Sequence, residues 1–180
     1  MDLGIAGRKA ILMASSRGLG RACAEALARE GVEVVVNGRT ESDVRKTAES
    51  IASKYTVSAI PVVGDSSTPE VHHALLAACP EPDIVLLNGE GPLPTPFTNI
   101  SEEDWEESAR KTMISPLLFV QRIVSGMQQR GFGRIIAVSS AMVKSPNPLM
   151  STSHGPRLGL TAVLKAVSYT HLTLPTILLV

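Results

Sequence analysis

Apolar and polar positions alternate along this chain with two different periods. Short apolar runs rich in Val, Ile, Leu and Ala predict strands, which fall at 10–14, 32–36, 57–63, 83–87 and 134–139. Between these runs apolar residues recur every three or four positions and predict helices, which fall within 19–27, 44–52, 70–78, 101–130 and 151–166. Because apolar strands alternate with amphipathic helices, the pattern predicts the α/β class: a doubly wound parallel sheet with helices on both faces.

Local signals refine two of these elements. Pro61 lies inside the third strand, and because proline lacks a backbone N–H it predicts an edge strand or a bulge. Ser101 followed by Asp104 predicts a capped start for the 101–130 helix. Pro116 predicts a kink within that helix.

Charge and composition narrow the possible partners. The chain has 180 residues, which suits one domain, and its 17 basic residues balance 17 acidic ones. Zero net charge gives no electrostatic case for nucleic acid or an anionic membrane. No apolar run reaches the ~18 residues of a membrane span, and the first residues lack a signal-peptide pattern, so we expect a cytoplasmic protein.

Cysteines and histidines predict no metal site. Cys23 and Cys79 lack a CxxC spacing and are expected to be buried free thiols in a reducing compartment. His72 and His73 lack metal-ligand partners and are expected on a helix surface.

The loop after the first strand carries the clearest functional signal. It reads Met-Ala-Ser-Ser-Arg-Gly-Leu-Gly over residues 13–20, and its two glycines open the following helix. Free N–H groups and the dipole at a helix start favour a pyrophosphate, which predicts a Rossmann-type dinucleotide site; a plain tight turn is the alternative. The predicted cofactor-binding residues here are Ser15, Ser16, Arg17, Gly18, Leu19 and Gly20.

Together with two further motifs, this loop resembles that of the short-chain dehydrogenase/reductase family. Gly18 and Gly20 match the family's glycine motif, although Ala14 stands at its first glycine. Asn88-Gly89 matches part of the Asn-Asn-Ala-Gly motif, and residues 133–140 match the fifth strand with its serine. The resemblance covers residues 4 to 166 and is nearest to a divergent 3-oxoacyl-acyl-carrier-protein reductase branch. It implies further cofactor contacts from Asp65, Ser66, Asn88 and Gly89.

The residue after the second strand indicates which nicotinamide cofactor binds. An acid there would accept hydrogen bonds from a ribose 2′-OH, whereas a base accommodates a 2′-phosphate. This chain has Asn37-Gly38-Arg39 and no acid before Glu41. Arg39 together with Arg17 therefore favours NADP(H) over NAD(H), because guanidinium groups suit a phosphate. The alternative is that both arginines are solvated surface residues.

The catalytic positions depart from the family pattern. The resemblance implies a Ser–Tyr–Lys–Asn tetrad, of which Ser140 matches the serine. Ser153 stands at the tyrosine position, Arg157 at the lysine position and Thr112 at the asparagine position. A serine hydroxyl has too high a pKa for a general acid, and arginine cannot relay a proton. Ser140, Ser153 and Arg157 are the predicted catalytic residues.

Two functions follow from these positions. One is an NADP(H)-dependent oxidoreductase that transfers hydride between NADP and a small-molecule ketone or alcohol through a non-standard site. In that case His154, or a water held by Ser140 and Ser153, would supply the proton; the alternative for His154 is a surface residue. The other function is a non-catalytic dinucleotide-binding protein that has lost the tetrad. A methyltransferase of the same fold class is disfavoured by Arg39, Asn88 and Ser140.

The end of the chain departs from the helical period. Apolar and polar residues alternate every second position beyond Val167, and 167–176 resembles the translation of a sequencing-library adapter. We therefore expect residues 1–166 to form a partial short-chain dehydrogenase/reductase domain, with a sheet incomplete at the C-terminus. Residues 167–180 would be a non-native tail, or alternatively a genuine short strand. The resemblance implies that a full-length form is a homo-oligomer.

Overall fold

The computed structural model describes residues 2–170 and contains one parallel five-stranded sheet. The strands are β1 (Lys9–Leu12), β2 (Glu33–Gly38), β3 (Ala59–Val63), β4 (Ile84–Leu87) and β5 (Arg134–Ala137). Their order across the sheet is β3-β2-β1-β4-β5, and every neighbouring pair is parallel. The predicted doubly wound α/β fold is confirmed.

Six α-helices connect and cover the strands. They are α1 (Gly18–Arg29), α2 (Glu41–Tyr55), α3 (Pro69–Ala78), α4 (Glu102–Ala109), α5 (Ser115–Gln129) and α6 (Ser151–Thr170). Side chains alternate across each strand, so the sheet buries two separate apolar clusters. Ile11 and Val85 belong to the cluster under α3, α5 and α6, whereas Leu12 and Leu86 belong to the one under α1 and α2. Each fully buried aliphatic side chain contributes about 1.5–3 kcal/mol to folding.

Pro61 lies in β3, which is the edge strand on the β2 side, as its sequence predicts. A proline there removes no ladder hydrogen bond from a central strand. Val63 of the same strand is partly exposed, which is consistent with an edge position. The edge therefore places the loop after β3 at one rim of the sheet.

The predicted 101–130 helix is divided into two. Ser101 and Asp104 form the predicted capping box at the start of α4. A π-helical turn, Arg110–Ile114, then joins α4 to α5. Pro116 at the start of α5 has no N–H for the carbonyl one turn earlier, so the helical ladder opens there. The expected kink is thus a π-helical turn immediately before the proline.

α6 extends to Thr170, beyond the predicted helix end at residue 166. Ser168 and Tyr169 are therefore helical, although the two-residue period favours an extended strand. Residues 171–180 of the predicted tail lie outside the described residues. Over residues 2–170 no helix has both the length and the apolar character needed to cross a membrane.

Candidate functional site

A cleft of about 690 Å³ opens at the carboxyl ends of the strands. β1 and β4 are neighbours there, and the chain leaves them toward opposite sides of the sheet, which creates a crevice between their loops. Predicted site residues from the loops after β1, β2, β3 and β4, together with one residue of α6, line this cleft. They are Ser16, Arg17, Arg39, Asp65, Ser66, Asn88, Gly89 and Arg157.

The start of α1 has the features of a phosphate-binding turn. Gly18 has a φ of 55°, and the space that a Cβ would occupy there is open. Arg17 precedes it without a side-chain cap hydrogen bond, and the first turn contains no acidic residue. The first-turn N–H groups and the positive end of the helix dipole are therefore left for an anionic group. These features fit the pyrophosphate of a dinucleotide.

Position 20 requires glycine for a steric reason, which differs from the positive φ at Gly18. A Cβ on Gly20 would collide with the carbonyl oxygen of Ala14, so this glycine allows α1 to pack against the loop that precedes it. Leu19, between the two glycines, is largely exposed. Leu19 and Gly20 do not themselves line the cleft.

Ser15 holds the loop rather than facing the cleft. Its side chain is fully buried, and Oγ donates to the Leu12 carbonyl oxygen at 2.7 Å. The same Oγ accepts from the Asn37 backbone N–H at 3.1 Å, and the Ser15 N–H donates to the Asn37 carbonyl oxygen at 2.7 Å. With these groups engaged, Ser15 holds the loop in place, and its predicted cofactor contact stays a prediction.

Asn37 joins β2 to the loop after β1 and to the end of β3 with its following loop, a role that the sequence interpretation missed. It is 1% exposed, and its Oδ1 accepts from the Ala14 N–H at 3.2 Å. Its Nδ2 donates to the carbonyl oxygens of Val62 at 3.0 Å and Gly64 at 3.1 Å. The available signal was an amide side chain at the end of an otherwise apolar strand, where a buried polar group needs partners.

Two further side chains fix the phosphate-binding loop. Asn88 Nδ2 donates to the Ala14 carbonyl oxygen at 3.0 Å, and Thr47 Oγ1 donates to the Ser16 carbonyl oxygen at 2.8 Å. Ala14 consequently has both backbone polar groups bound by asparagine side chains. It is held at a φ of 46°, in the left-handed region that favours glycine. Ala14 thus adopts a glycine-like conformation at the position of the family's first glycine.

Asp65 lies at the β3 end of the cleft. Burial alone would raise the pKa of Asp65. Hydrogen bonds from the Ser67 backbone and side chain lower it, as do the nearby positive charges of Lys111 and Arg39. These effects together outweigh burial, so the pKa lies below its usual value. The carboxylate is therefore ionised at neutral pH. It can accept hydrogen bonds from a bound ligand.

His72 is buried beneath this region, so its predicted surface position is wrong. It is 2% exposed, and its Nε2 donates to the Ser66 carbonyl oxygen at 2.9 Å and lies 3.1 Å from Ser115 Oγ. The ring also packs edge-on against Phe119. Burial lowers the pKa of His72, which favours the neutral imidazole. The side chain ties the loop after β3 to α5.

Arg157 is the only predicted catalytic residue that lines the cleft. Its Nε donates to Ser153 Oγ at 3.1 Å, and its Nη1 donates to the Val138 carbonyl oxygen at 3.0 Å. Burial lowers its pKa, and among the described residues no carboxylate pairs with it. The cleft therefore contains a fixed guanidinium group whose charge is not neutralised by an acid.

The remaining predicted catalytic residues, Ser140 and Ser153, do not line the cleft. Ser153 is 2% exposed behind Arg157, and Ser140 Oγ accepts from the Met142 N–H at 3.2 Å, which caps a short 3-10 turn. His154 Nε2 accepts from the Asn147 N–H at 3.2 Å and does not line the cleft. This geometry does not support His154 as a proton donor. Thr112, at the expected asparagine position, does line the cleft.

Comparison with known proteins identifies the family. The short chain dehydrogenase family matches residues 8–166, and the chain belongs to that family. The predicted family resemblance is thereby confirmed.

Three relatives illustrate the range of similar proteins. Inactive hydroxysteroid dehydrogenase-like protein 1 of Pongo abelii is 30% identical over 168 residues, which cover 91% of this chain and 51% of that protein. The 3-oxoacyl-[acyl-carrier-protein] reductase FabG of Aquifex aeolicus is 28% identical over 146 residues, covering 79% and 59%. L-sorbose reductase from Gluconobacter frateurii, solved with NADPH and L-sorbose, has a TM-score of 0.88 at 26% identity, covering 94% and 66%. The chain spans a little over half the length of the curated relatives it matches.

Proposed function

We propose that this chain belongs to an NADP(H)-dependent oxidoreductase that interconverts a carbonyl and an alcohol on a small molecule. The observation that carries the proposal is the uncapped start of α1 beside a cleft that also contains Arg39 and Arg157. One crevice then contains a phosphate-binding turn at the start of α1. It also contains Arg39, the candidate ligand of a 2′-phosphate, and the fixed cation of Arg157. The NADPH in the related L-sorbose reductase supports the same choice of cofactor.

The cofactor would be held by residues on four loops. The first-turn N–H groups of α1 with Ser16 would bind the pyrophosphate, and Arg17 with Arg39 would bind the 2′-phosphate. Asp65, Ser66, Asn88 and Gly89 would contact the adenosine and the nicotinamide-side ribose. When bound, NADPH supplies the hydride.

Arg157 would stabilise negative charge on the substrate oxygen. Its guanidinium is fixed by Ser153 and Val138, so it is oriented before a substrate binds. Arginine cannot donate its proton at neutral pH, so the proton that completes alcohol formation would come from water. Ser153 would position Arg157, and Ser140 would support the substrate side of the cleft after β5. The substrate would be a ketone or alcohol, with a 3-oxoacyl group as the candidate suggested by the reductase relative.

A second function is favoured by the substituted tetrad. Ser153, Arg157 and Thr112 stand where the family pattern has tyrosine, lysine and asparagine. A protein with these residues could bind a dinucleotide without turnover. The name of the Pongo abelii relative, which calls that protein inactive, is compatible with this alternative.

One experiment separates the two functions. NADPH binding to the 180-residue chain is measured by calorimetry, and a full-length clone that carries residues 1–166 is assayed for NADPH oxidation against a panel of ketones. Binding with turnover supports the oxidoreductase, and binding without turnover supports the dinucleotide-binding protein. Absence of NADPH binding contradicts both.

The compartment and assembly state are also proposals. The family resemblance supports a cytoplasmic location, and it supports a homo-oligomer for a longer form. Cell fractionation and analytical ultracentrifugation test them.

A further inference from the structure

An ion pair crosses the cofactor cleft above β1. Arg39 follows β2 and Glu90 follows β4, and these two strands flank β1 in the sheet. Two strand spacings separate their ends by about 10 Å. The side chains nevertheless meet, with Arg39 Nη2 donating to Glu90 Oε2 at 2.5 Å. Both residues line the cleft, so this contact bridges the loops after β2 and β4 within it.

The Arg39–Glu90 pair contributes little to the stability of the fold. The two side chains are 56% and 68% exposed, and exposed pairs contribute only about 0–1 kcal/mol. Its main effect is on the charge that the cleft presents. The guanidinium proposed to receive a 2′-phosphate is already neutralised by a carboxylate from the opposite side of the crevice.

The other charges near Arg39 do not replace this partner. Asp65 and Lys111 both act on the electrostatics of the same corner, but Lys111 donates to Glu107 and Asp65 accepts from Ser67. Asp43 lines the cleft without an ion pair to Arg39 in the described part of the chain. Glu90 is therefore the carboxylate that competes for this guanidinium.

We propose that Glu90 is an internal competitor for Arg39 that the 2′-phosphate of NADP(H) must displace, and that Glu90 thereby weakens the preference for NADP(H) over NAD(H). The inference rests on the proposed cofactor. A cofactor without a 2′-phosphate has no need of Arg39, so it gains nothing specific when Glu90 releases that side chain. Removal of the carboxylate should therefore improve NADPH binding more than NADH binding.

Calorimetric titration of the 180-residue chain with NADPH and with NADH tests the proposal. Glu90→Gln keeps the shape of the side chain and removes its charge. Given the usual strength of an exposed pair, we expect the NADPH dissociation constant to fall about two- to fivefold, with a smaller change for NADH. Glu81→Gln is the matched control, because Glu81 pairs with Arg130 at 3.6 Å near the amino ends of β4 and β5, and its NADPH affinity should be unchanged.

A double-mutant cycle identifies the route of the effect. In an Arg39→Gln background, Glu90→Gln should give no further gain in NADPH affinity. A gain that persists there would mean that Glu90 repels other phosphates directly, and this would overturn the competition with Arg39. An unchanged or weakened NADPH affinity of the Glu90→Gln variant would also overturn the proposed competition. The proposed function would still stand in that case, provided that the wild-type chain binds NADPH. If neither the wild type nor Glu90→Gln binds NADPH, the proposed function and this inference fail together.

Discussion

Replacement of Asn37 by alanine should destabilise the chain because this one amide binds three backbone groups, in the loops after β1 and β3 and at the end of β3. The substitution removes the acceptor of the Ala14 N–H and the donors to the carbonyl oxygens of Val62 and Gly64. A buried group left without its partner costs about 1–3 kcal/mol, and water can reach Gly64 more easily than Val62. We expect a total loss of about 2–5 kcal/mol in the free energy of unfolding. This is a large part of the stability of a typical domain, which is about 5–15 kcal/mol.

Urea denaturation followed by circular dichroism measures this loss. It is obtained from the shift in the urea concentration at the unfolding midpoint, provided that the dependence of the free energy of unfolding on urea keeps the same slope. Asn99→Ala is the matched control, since Asn99 is exposed and the same change there should stay within about 0.5 kcal/mol. The Asn37 variant should also bind NADPH more weakly, because the loop at Ala14 loses one of its two amide contacts. A loss of stability below about 1 kcal/mol with an unchanged slope would refute the view that Asn37 fixes the loops after β1 and β3.

Three further predictions concern single side chains. Ser15→Ala should lower the free energy of unfolding by about 1–3 kcal/mol, because the Asn37 N–H loses its acceptor. Ser139→Ala should be neutral or slightly stabilising, since Ser139 Oγ is buried without a partner among the described residues. Equal losses for the two variants in chemical denaturation would contradict both assignments. Because the pKa of Asp65 is lowered in the folded protein, its contribution to stability is present above the unfolded pKa of about 3.9 and is lost as the pH falls through the lower folded value. Asp65→Asn should therefore reduce the loss of stability that the protein shows on acidification. An unchanged dependence of stability on acidic pH would refute this. Burial raises the pKa of Cys79 to about 11, so Cys23 should react first with a thiol reagent in the folded protein, and faster modification of Cys79 in mass spectra would be the contrary result.

The sequence predicted the sheet well because its strands are continuous apolar runs. A parallel sheet covered on both faces requires such runs, and helices between them impose the crossover connections. Pro61 likewise indicated an edge strand, since the missing N–H is a local property. These features depend on periodicity or on backbone chemistry, which are visible without knowledge of the tertiary contacts.

The parts of the site that were missed depend on contacts between residues far apart in the sequence. The Ser15 hydroxyl turns inward to meet Asn37 on the next strand, a contact that the sequence did not predict. His72 was expected at the surface, but it packs against Ser115 and Phe119 of a later helix. Glu90 reaches Arg39 only because the sheet order places β2 and β4 on either side of β1. Local pattern carries no information about such pairings.

The π-helical turn between α4 and α5 also sets the relative rotation of these two helices. A π turn contains one residue more than an α turn, and one residue corresponds to about 100° of rotation around a helix axis. α4 can therefore direct Ser108 toward Thr152 of α6, while α5 directs Phe119 and Met127 into the sheet core. Deletion of a single residue from Arg110–Ile114 would replace the π-helical turn by an α-helical one and remove this offset. Either α4 or α5 would then present the wrong side, so the length of this short segment helps to determine which side chains of the two helices are buried.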